Sequence, residues 1–136
     1  MKLSLRLRIF ITIFFFAAAL VGFMVKLPSV FRHSDKELHA AFYFIAAALV
    51  NLLFARRQLI RHVVIFVTLY LFGMMIEWLQ QYSNTFFRRR IHGNFDPTDL
   101  QWNLKGLLAF SVLWILILVV RKGSTRKDNE QYKSTN

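Results

Sequence analysis

Four long apolar blocks restrict the fold of this chain more than any other feature of its sequence. They cover residues 9–25, 40–55, 63–76 and 107–120, and few polar residues interrupt them. At ~1.5 Å rise per helical residue, the first block extends about 26 Å, close to the ~30 Å hydrocarbon core of a bilayer. A hydrophobic content of 56% also exceeds what a soluble core requires. The sequence therefore predicts an all-α fold, a four-helix transmembrane bundle with short loops.

The first block also has features of a cleaved secretory signal peptide, because basic residues precede it and the small residues Ala17–Ala19 lie within it. Cleavage at that point would leave a short apolar core, and the apolar residues continue to Val25. We therefore expect the first block to be retained as a membrane helix.

The fourth block is followed by a typical helix stop. Gly123 comes directly after Arg121 and Lys122, and cations suit the negative end of a helix dipole. The residues that follow are polar. We expect one membrane domain at residues 1–123 and a disordered, basic polar tail at residues 124–136.

Acidic residues are concentrated beside the apolar blocks. Five of the seven lie there, namely Asp35, Glu37, Glu77, Asp96 and Asp99. A count of membrane crossings places all five on the same side of the bilayer. Acids that are collected at helix ends, rather than scattered over a surface, mark this side as the candidate working site.

Helix capping is the simpler explanation for some of these acids. Residues 34–37 have the pattern of a capping box, and Asp96 precedes Pro97 as an N-cap residue precedes a proline in the first turn. We expect helices to begin at Asp35 and Pro97. Glu77 cannot be explained in this way, because it lies near a helix C-terminus, where the helix dipole disfavours an anion. It requires a polar partner, such as His39, Lys36 or an arginine.

Polar residues near these helix ends recur at helical spacing. The sets are Asp35, His39 and Tyr43; Glu77, Gln80 and Gln81; and Asp99, Asn103 and Gly106. Residues three or four apart lie on one helix face, and a polar face is costly in contact with lipid. We therefore expect the three faces to surround a polar pocket that opens to the exported side.

The distribution of basic residues predicts the orientation. Eleven Lys and Arg residues lie in the N-terminal segment, in the loop after the second block and in the tail, against seven on the other side. Because cytoplasmic segments retain basic residues, we expect both termini to be cytoplasmic in a multi-pass protein of the cell (inner) membrane. The run Arg88–Arg90 lies on the exported side in this arrangement.

The three polar sets resemble the signature of the VanZ-like family of small bacterial membrane proteins, which is named for a protein linked to teicoplanin resistance. Asp35-Lys36-Glu37-Leu38-His39 with Tyr43, then Glu77-x-x-Gln80, then Asp99-x-x-x-Asn103-x-x-Gly106 occur in order. The match covers about residues 30–120. Residues 82–95 are longer than the Pro-Gly-Arg-type turn of the family, and any of Arg88, Arg89 or Arg90 can stand for the family arginine. The resemblance implies a four-helix membrane domain with an envelope-related role.

Two classes of function fit these residues. In the binding class, the pocket holds an anionic membrane lipid or a lipid-linked cell-envelope precursor. Its residues are Lys36, Tyr43, Gln80, Arg88, Arg89, Arg90, Asp99 and Asn103. In the enzyme class, Asp35 orients His39 as a general base for hydrolysis or transfer of a lipid phosphate. Glu77 or Asp99 then acts as the acid or as a metal ligand.

The positions of the basic residues, and the motifs that are absent beside them, limit which partners and cofactors we expect. The net charge of +11 would suit nucleic acid, but the basic residues flank apolar helices and no nucleic-acid reading motif accompanies them. Membrane lipids are the expected partner. No metal-type spacing and no phosphate-binding glycine loop is present, so we expect binding without a metal or cofactor. The first block carries no motif residue and is the candidate surface for a homo-oligomer.

Overall fold

The structure of this 136-residue protein is a computed structural model that describes residues 3–24, 35–55, 57–87 and 95–134. These residues form four helices. They are α1 (Leu5–Met24), α2 (Asp35–Val50), α3 (Leu59–Phe86) and α4 (Pro97–Ser134). A π-helical segment, Asn51–Ala55, extends α2. The described residues contain no strand.

Each of the four helices has a segment that is long and apolar enough to cross a membrane. The predicted all-α, four-helix architecture is therefore confirmed, and the protein is a multi-pass membrane protein. The expected helix starts at Asp35 and Pro97 are also confirmed. As predicted, α3 continues beyond its apolar block through Glu77 and the residues after it, and its 28 residues extend about 42 Å.

The core of the bundle lies where α2 packs against α4, the most extensive helix contact in the described structure. Small residues allow the two backbones to approach closely. Ala46 and Ala47 are buried on α2 and Leu107 is buried on α4. Gly106 faces the backbone of Ala40 so closely that a Cβ at this glycine would lie 2.9 Å from the Ala40 carbonyl carbon and nearer still to its oxygen. Small residues are the usual device for tight helix packing in membranes.

Helix α1 lies on the outside of this core. It contacts the other helices mainly through phenylalanines, with Phe15 stacked on Phe42 at 5.4 Å and Phe16 edge-on to Phe72 at 4.9 Å between ring centroids. None of the side chains described on α1 is fully buried. The helix therefore presents a large apolar surface to lipid, and its use in a homo-oligomer stays a prediction.

The connection between α2 and α3 is held by two arginines. The π-helical segment leaves carbonyl oxygens outside the helical hydrogen-bond pattern. Arg8 Nη1 donates to the Leu53 carbonyl and Arg61 Nη1 donates to the Phe54 carbonyl, each at 3.1 Å. Arg57 then reverses the chain with a positive φ of 69°. Cations at a helix C-terminus are favourable to the helix dipole.

The structure corrects the predicted helix end at Gly123. Helix α4 continues through this glycine to Ser134, so residues 124–134 are helical rather than disordered. The glycine does not adopt the left-handed backbone conformation that would terminate a helix. No proline follows, and the cost of one glycine inside a helix is only about 1 kcal/mol. The boundary of the membrane domain at residue 123 stays a prediction.

Candidate functional site

The polar residues of three helices meet at one end of the bundle, where α2 and α4 begin and α3 ends. We call this the acidic end. Four residues from these helices form a cluster that we call the His39 cluster, and they are His39, Glu77, Asp99 and Asn103. Glu77 and Asn103 are each 1% exposed and His39 is 5% exposed. The sequence predicts a pocket open to the exported side; in the structure, His39, Glu77 and Asn103 are buried and Asp99 is half-buried.

His39 is oriented by Asn103. The distance from His39 Nδ1 to Asn103 Oδ1 is 2.9 Å. Because an amide oxygen can only accept, the Nδ1–H of His39 donates this hydrogen bond. The other ring nitrogen, Nε2, lies 3.9 Å from Asp99 Oδ2. The sequence interpretation gives the role of orienting His39 to Asp35, whose side chain lies outside the described residues, so that role stays a prediction.

Glu77 is the most deeply buried of the described carboxylates at the acidic end. Its Oε2 accepts a hydrogen bond of 3.1 Å from the backbone N–H of Asp96. Its Oε1 is buried and has no hydrogen-bond partner among the described residues. The predicted requirement for a polar partner is therefore met at one oxygen, by a backbone amide, and unmet at the other.

Gly73 on α3 makes room for two of these side chains. A Cβ at this position would lie 2.8 Å from the Tyr43 hydroxyl oxygen and 2.8 Å from Asn103 Nδ2. Tyr43 is 1% exposed, so its hydroxyl is enclosed beside the cluster. The lack of a side chain at Gly73 thus lets α2 and α4 project polar groups toward α3.

Asp96 caps α4 just outside its membrane-spanning segment. Its Oδ1 accepts a hydrogen bond of 2.8 Å from the Thr98 N–H, and the Thr98 hydroxyl donates to the same oxygen. These hydrogen bonds favour the ionised form and lower the pKa of the Asp96 carboxyl below its ordinary value. The sequence predicts this cap, but not that the backbone N–H of the same residue holds Glu77.

The remaining predicted site residues are spread more widely. Lys36 is exposed at the start of α2, and Gln80 is half-buried about one turn beyond Glu77 on α3. Gln81 accepts a hydrogen bond of 3.2 Å from the Phe95 N–H through its Oε1. The predicted roles of Arg88, Arg89 and Arg90 fall on residues that lie outside the described part of the chain.

A second buried polar cluster, which the sequence interpretation missed, lies toward the opposite end of the bundle. We call it the His62 cluster. His62 Nδ1 lies 2.7 Å from Asn51 Oδ1, and His62 Nε2 lies 3.1 Å from Ser111 Oγ. Asn51 Nδ2 donates to the Ala47 carbonyl at 2.8 Å, and the His62 ring stacks on Trp114 at 4.2 Å. The signal in the sequence was the isolated Asn51 and Ser111 inside apolar blocks.

The two clusters differ in what they can do chemically. In the His62 cluster, both ring nitrogens, the Asn51 amide and the Ser111 hydroxyl lie within hydrogen-bond distance of described polar groups. In the His39 cluster, an imidazole and two carboxylates present ligand atoms that all lie within 4.8 Å of one another. Such a set can hold a proton or a cation, and a buried ionisable group in a membrane protein is by default a candidate for function.

Five of the motif residues behind the family resemblance are therefore neighbours in space. His39 and Tyr43 come from α2, Glu77 comes from α3, and Asp99 and Asn103 come from α4. The fold brings them together although the hydrogen-bonded residues His39 and Asn103 are 64 positions apart in the sequence. Comparison of the chain with protein-family models, with curated proteins and with solved structures found no match.

Proposed function

We propose that this membrane protein is VanZ-like and binds an anionic lipid headgroup, such as that of a lipid-linked cell-envelope precursor, at its acidic end. The observation that carries the proposal is the His39 cluster itself. Three apolar helices bury ionisable and amide side chains together at one end, and such a costly arrangement is typical of functional sites in membrane proteins. A role in the cell envelope, including glycopeptide tolerance, follows from the family resemblance.

The charges of the acidic end suit an anion at its surface. The carboxylate of Glu77 is turned into the bundle, whereas Lys36 and Lys105 are exposed. Lys105 Nζ lies 3.8 Å from the ring centroid of Trp102, a pairing typical of the membrane–water boundary. The run Arg88–Arg90 follows α3 in the sequence. Lys36 and Lys105 therefore offer cationic partners to a phosphate-bearing headgroup at this end, where Glu37 is also exposed.

The topology that we propose puts the acidic end on the exported face of the inner membrane. Four spans leave both chain termini on one side. Eleven basic residues against seven favour the cytoplasm for that side. Single cysteines at Ser29 and Asn94 should then react with an impermeant thiol reagent in intact cells, and one at Gln58 should not. Labelling at Gln58 alone would show that the orientation is the reverse of the one proposed.

Lipid retention tests the binding proposal. Protein that lacks both exposed lysines (Lys36→Gln with Lys105→Gln) should retain less polyprenyl phosphate in native mass spectrometry than the wild type. At about 1 kcal/mol per cation near the surface, the pair should weaken binding about thirtyfold. The matched control is Arg121→Gln with Lys122→Gln, which removes two exposed cations near the opposite end and should leave retention unchanged. Equal retention by both double variants would overturn the proposal.

The arginine run supplies a second test of the same proposal. Replacement of Arg88, Arg89 and Arg90 by glutamine should weaken lipid retention further and flatten its dependence on salt, because exposed charges are screened within ~8 to 10 Å at ordinary ionic strength. Wild-type retention by the triple variant would leave the run as an ordinary solvated loop.

An enzyme acting on a lipid phosphate is the second candidate, and the hydrogen bond between His39 and Asn103 favours it. A proton on Nδ1 leaves Nε2 as the basic nitrogen, beside the Asp99 carboxylate. In that case the purified protein releases phosphate from a polyprenyl pyrophosphate. His39→Ala should abolish release while lipid retention persists, because a general base acts on the barrier more than on ground-state binding. His62→Ala is the control. Phosphate release that survives His39→Ala would exclude His39 as the base.

A further inference from the structure

We infer that the His39 cluster binds one divalent transition-metal ion, Zn²⁺ or Mn²⁺. The ligands are His39 Nε2 and one carboxylate oxygen each from Glu77 and Asp99. The sequence shows no metal-binding spacing, because His39, Glu77 and Asp99 belong to three separate helices. The fold brings the three side chains together at the acidic end.

The distances suit such an ion. With metal–ligand bonds of about 2.1 Å, neighbouring ligand atoms lie about 3.0 to 4.2 Å apart. His39 Nε2 and Asp99 Oδ2 are separated by 3.9 Å. No pair within the three-residue group exceeds 4.8 Å. Side-chain movements of less than about 1 Å therefore bring all three atoms into a coordination sphere.

Asn103 prepares the histidine for this role. Metal-binding histidines usually donate their second ring N–H to a carbonyl or carboxylate oxygen, which fixes the tautomer and the ring orientation. The hydrogen bond of 2.9 Å from His39 Nδ1 to Asn103 Oδ1 is such a contact. It leaves the lone pair on Nε2, the nitrogen that is nearer to Asp99. Asn103 therefore orients the histidine, in addition to the three side chains that supply ligand atoms.

An independent observation is the unmatched oxygen of Glu77. Glu77 is 1% exposed, and its Oε1 has no hydrogen-bond partner among the described residues. Its Oε2 is held by the Asp96 N–H, so the carboxylate is fixed in orientation. A buried carboxylate oxygen without a partner is costly. A divalent cation supplies that partner, and it also balances the two negative charges of Glu77 and Asp99.

The donor set selects the class of ion. One imidazole nitrogen and two carboxylate oxygens are borderline-to-hard ligands that suit Zn²⁺ and Mn²⁺. Ca²⁺ prefers six to eight oxygens and Mg²⁺ retains most of its water, so the imidazole nitrogen disfavours both. The chain has no cysteine, which excludes a thiolate ligand for Cu⁺ or an iron–sulfur cluster.

The test uses the full-length, untagged protein in detergent and does not involve lipid, so its failure is separate from failure of the lipid proposal. Metal is removed with a chelator, and the protein is then dialysed against Zn²⁺ or Mn²⁺ alone. Elemental analysis should find about one ion per chain. Pulsed EPR of the Mn²⁺-loaded protein should show coupling to an imidazole nitrogen.

Variants locate the ion within the protein. Glu77→Gln and Asp99→Asn keep the side-chain shape and should each weaken the affinity for the ion by about a hundredfold. Asn103→Ala should weaken the affinity for the ion about 10- to 100-fold, because it removes the group that orients the metal-binding histidine. The matched controls are Glu37→Gln, an exposed acid of the same helix end, and His62→Asn, the other buried histidine among the described residues. Both should bind the ion as the wild type does.

Three outcomes would overturn the inference. The wild type takes up no stoichiometric ion, as expected if Glu77 carries a proton instead. Glu77→Gln and Asp99→Asn bind Zn²⁺ and Mn²⁺ as tightly as the wild type, which would place the ion elsewhere. The site takes up only Mg²⁺ or Ca²⁺, which would contradict the role of the imidazole.

Discussion

The two histidine clusters contain the same type of hydrogen bond but differ in their other polar groups. In each, a histidine Nδ1 faces an asparagine Oδ1, at 2.9 Å between His39 and Asn103 and at 2.7 Å between His62 and Asn51. The His62 cluster continues from there into neutral partners, Ser111 and the ring of Trp114. The His39 cluster continues into two carboxylates, one of which keeps a buried oxygen without a described partner. The His62 cluster joins neighbouring helices through hydrogen bonds, whereas the His39 cluster has a carboxylate oxygen that can still bind a proton or a cation.

This difference separates a polar network whose members all have described partners from one that contains an unsatisfied oxygen. A polar network inside a membrane stabilises when each member is satisfied and destabilises when one member is not. Natural proteins keep unsatisfied groups mainly at functional sites and compensate for them elsewhere. The His62 cluster is a network of the first kind, and the His39 cluster, in which Glu77 Oε1 lacks a described partner, is one of the second.

The largest effect that we expect concerns the contact on which the His39 cluster depends. Gly106→Ala should destabilise the protein by about 3 kcal/mol, because the new methyl group meets the Ala40 backbone, which cannot move without separating α2 from α4. Gly123→Ala is the matched control, since nothing lies within 4 Å of a Cβ there. It should be neutral or stabilising by up to about 1 kcal/mol. Denaturation in mixed micelles measures both, and equal stability would mean that the contact is loose.

The next effect tests whether the His62 cluster is structural. His62→Ala should cost about 2 kcal/mol, because it leaves the buried Asn51 oxygen without its donor and removes the stack on Trp114. In a double-mutant cycle with Asn51→Ala, the coupling free energy should be at least about 1 kcal/mol. Lipid retention should be unchanged in each stably folded variant. Loss of lipid retention in a stably folded His62→Ala protein would show that the His62 cluster also contributes to lipid binding.

The sequence predicts the helices well because the bilayer imposes one strong requirement. Apolar blocks of sufficient length become spanning helices, and local capping chemistry at Asp96 and Pro97 places the start of α4. Helical spacing also predicts that His39 and Tyr43 share one face. Each of these inferences depends on residues that are close in the chain.

Contacts between helices are where the sequence interpretation stops. His39 and Asn103 are 64 positions apart, and nothing in either local pattern specifies that they bond to each other. The His62 cluster was missed because its members come from three elements and appear singly within apolar blocks. The continuation of α4 past Gly123 was missed because a glycine after two cations indicates a helix end only when its backbone turns left-handed. The backbone conformation of that glycine is not encoded in its identity.

The third prediction has the opposite sign to the second. In buffer without divalent metal, Glu77→Gln should stabilise the protein by about 1 kcal/mol, because a neutral amide buried near Asp99 costs less than a second carboxylate. The amide oxygen of the glutamine can still accept from the Asp96 N–H. Thermal melting in detergent measures the effect, with Glu37→Gln at an exposed position as the control. A destabilised Glu77→Gln protein would show that the carboxylate is satisfied in the folded state and that the two clusters are alike.

The last effect, similar in size to the third, separates a structural carboxylate from the others of the acidic end. Asp96→Ala should cost about 1 kcal/mol at neutral pH, the usual value for a lost helix N-cap. Because the hydrogen bonds from Thr98 lower the folded-state pKa of Asp96 below its value of about 3.9 in an unfolded chain, this stabilisation is complete above pH ~4 and is lost as the pH falls through the folded-state pKa. The stability difference between wild type and Asp96→Ala should therefore shrink below pH ~4, whereas Glu37→Ala should stay within about 0.5 kcal/mol of the wild type. Melting curves between pH 3 and pH 7 measure the differences. A difference that stays constant over this range would mean that the Asp96 cap does not depend on the charge of its carboxylate.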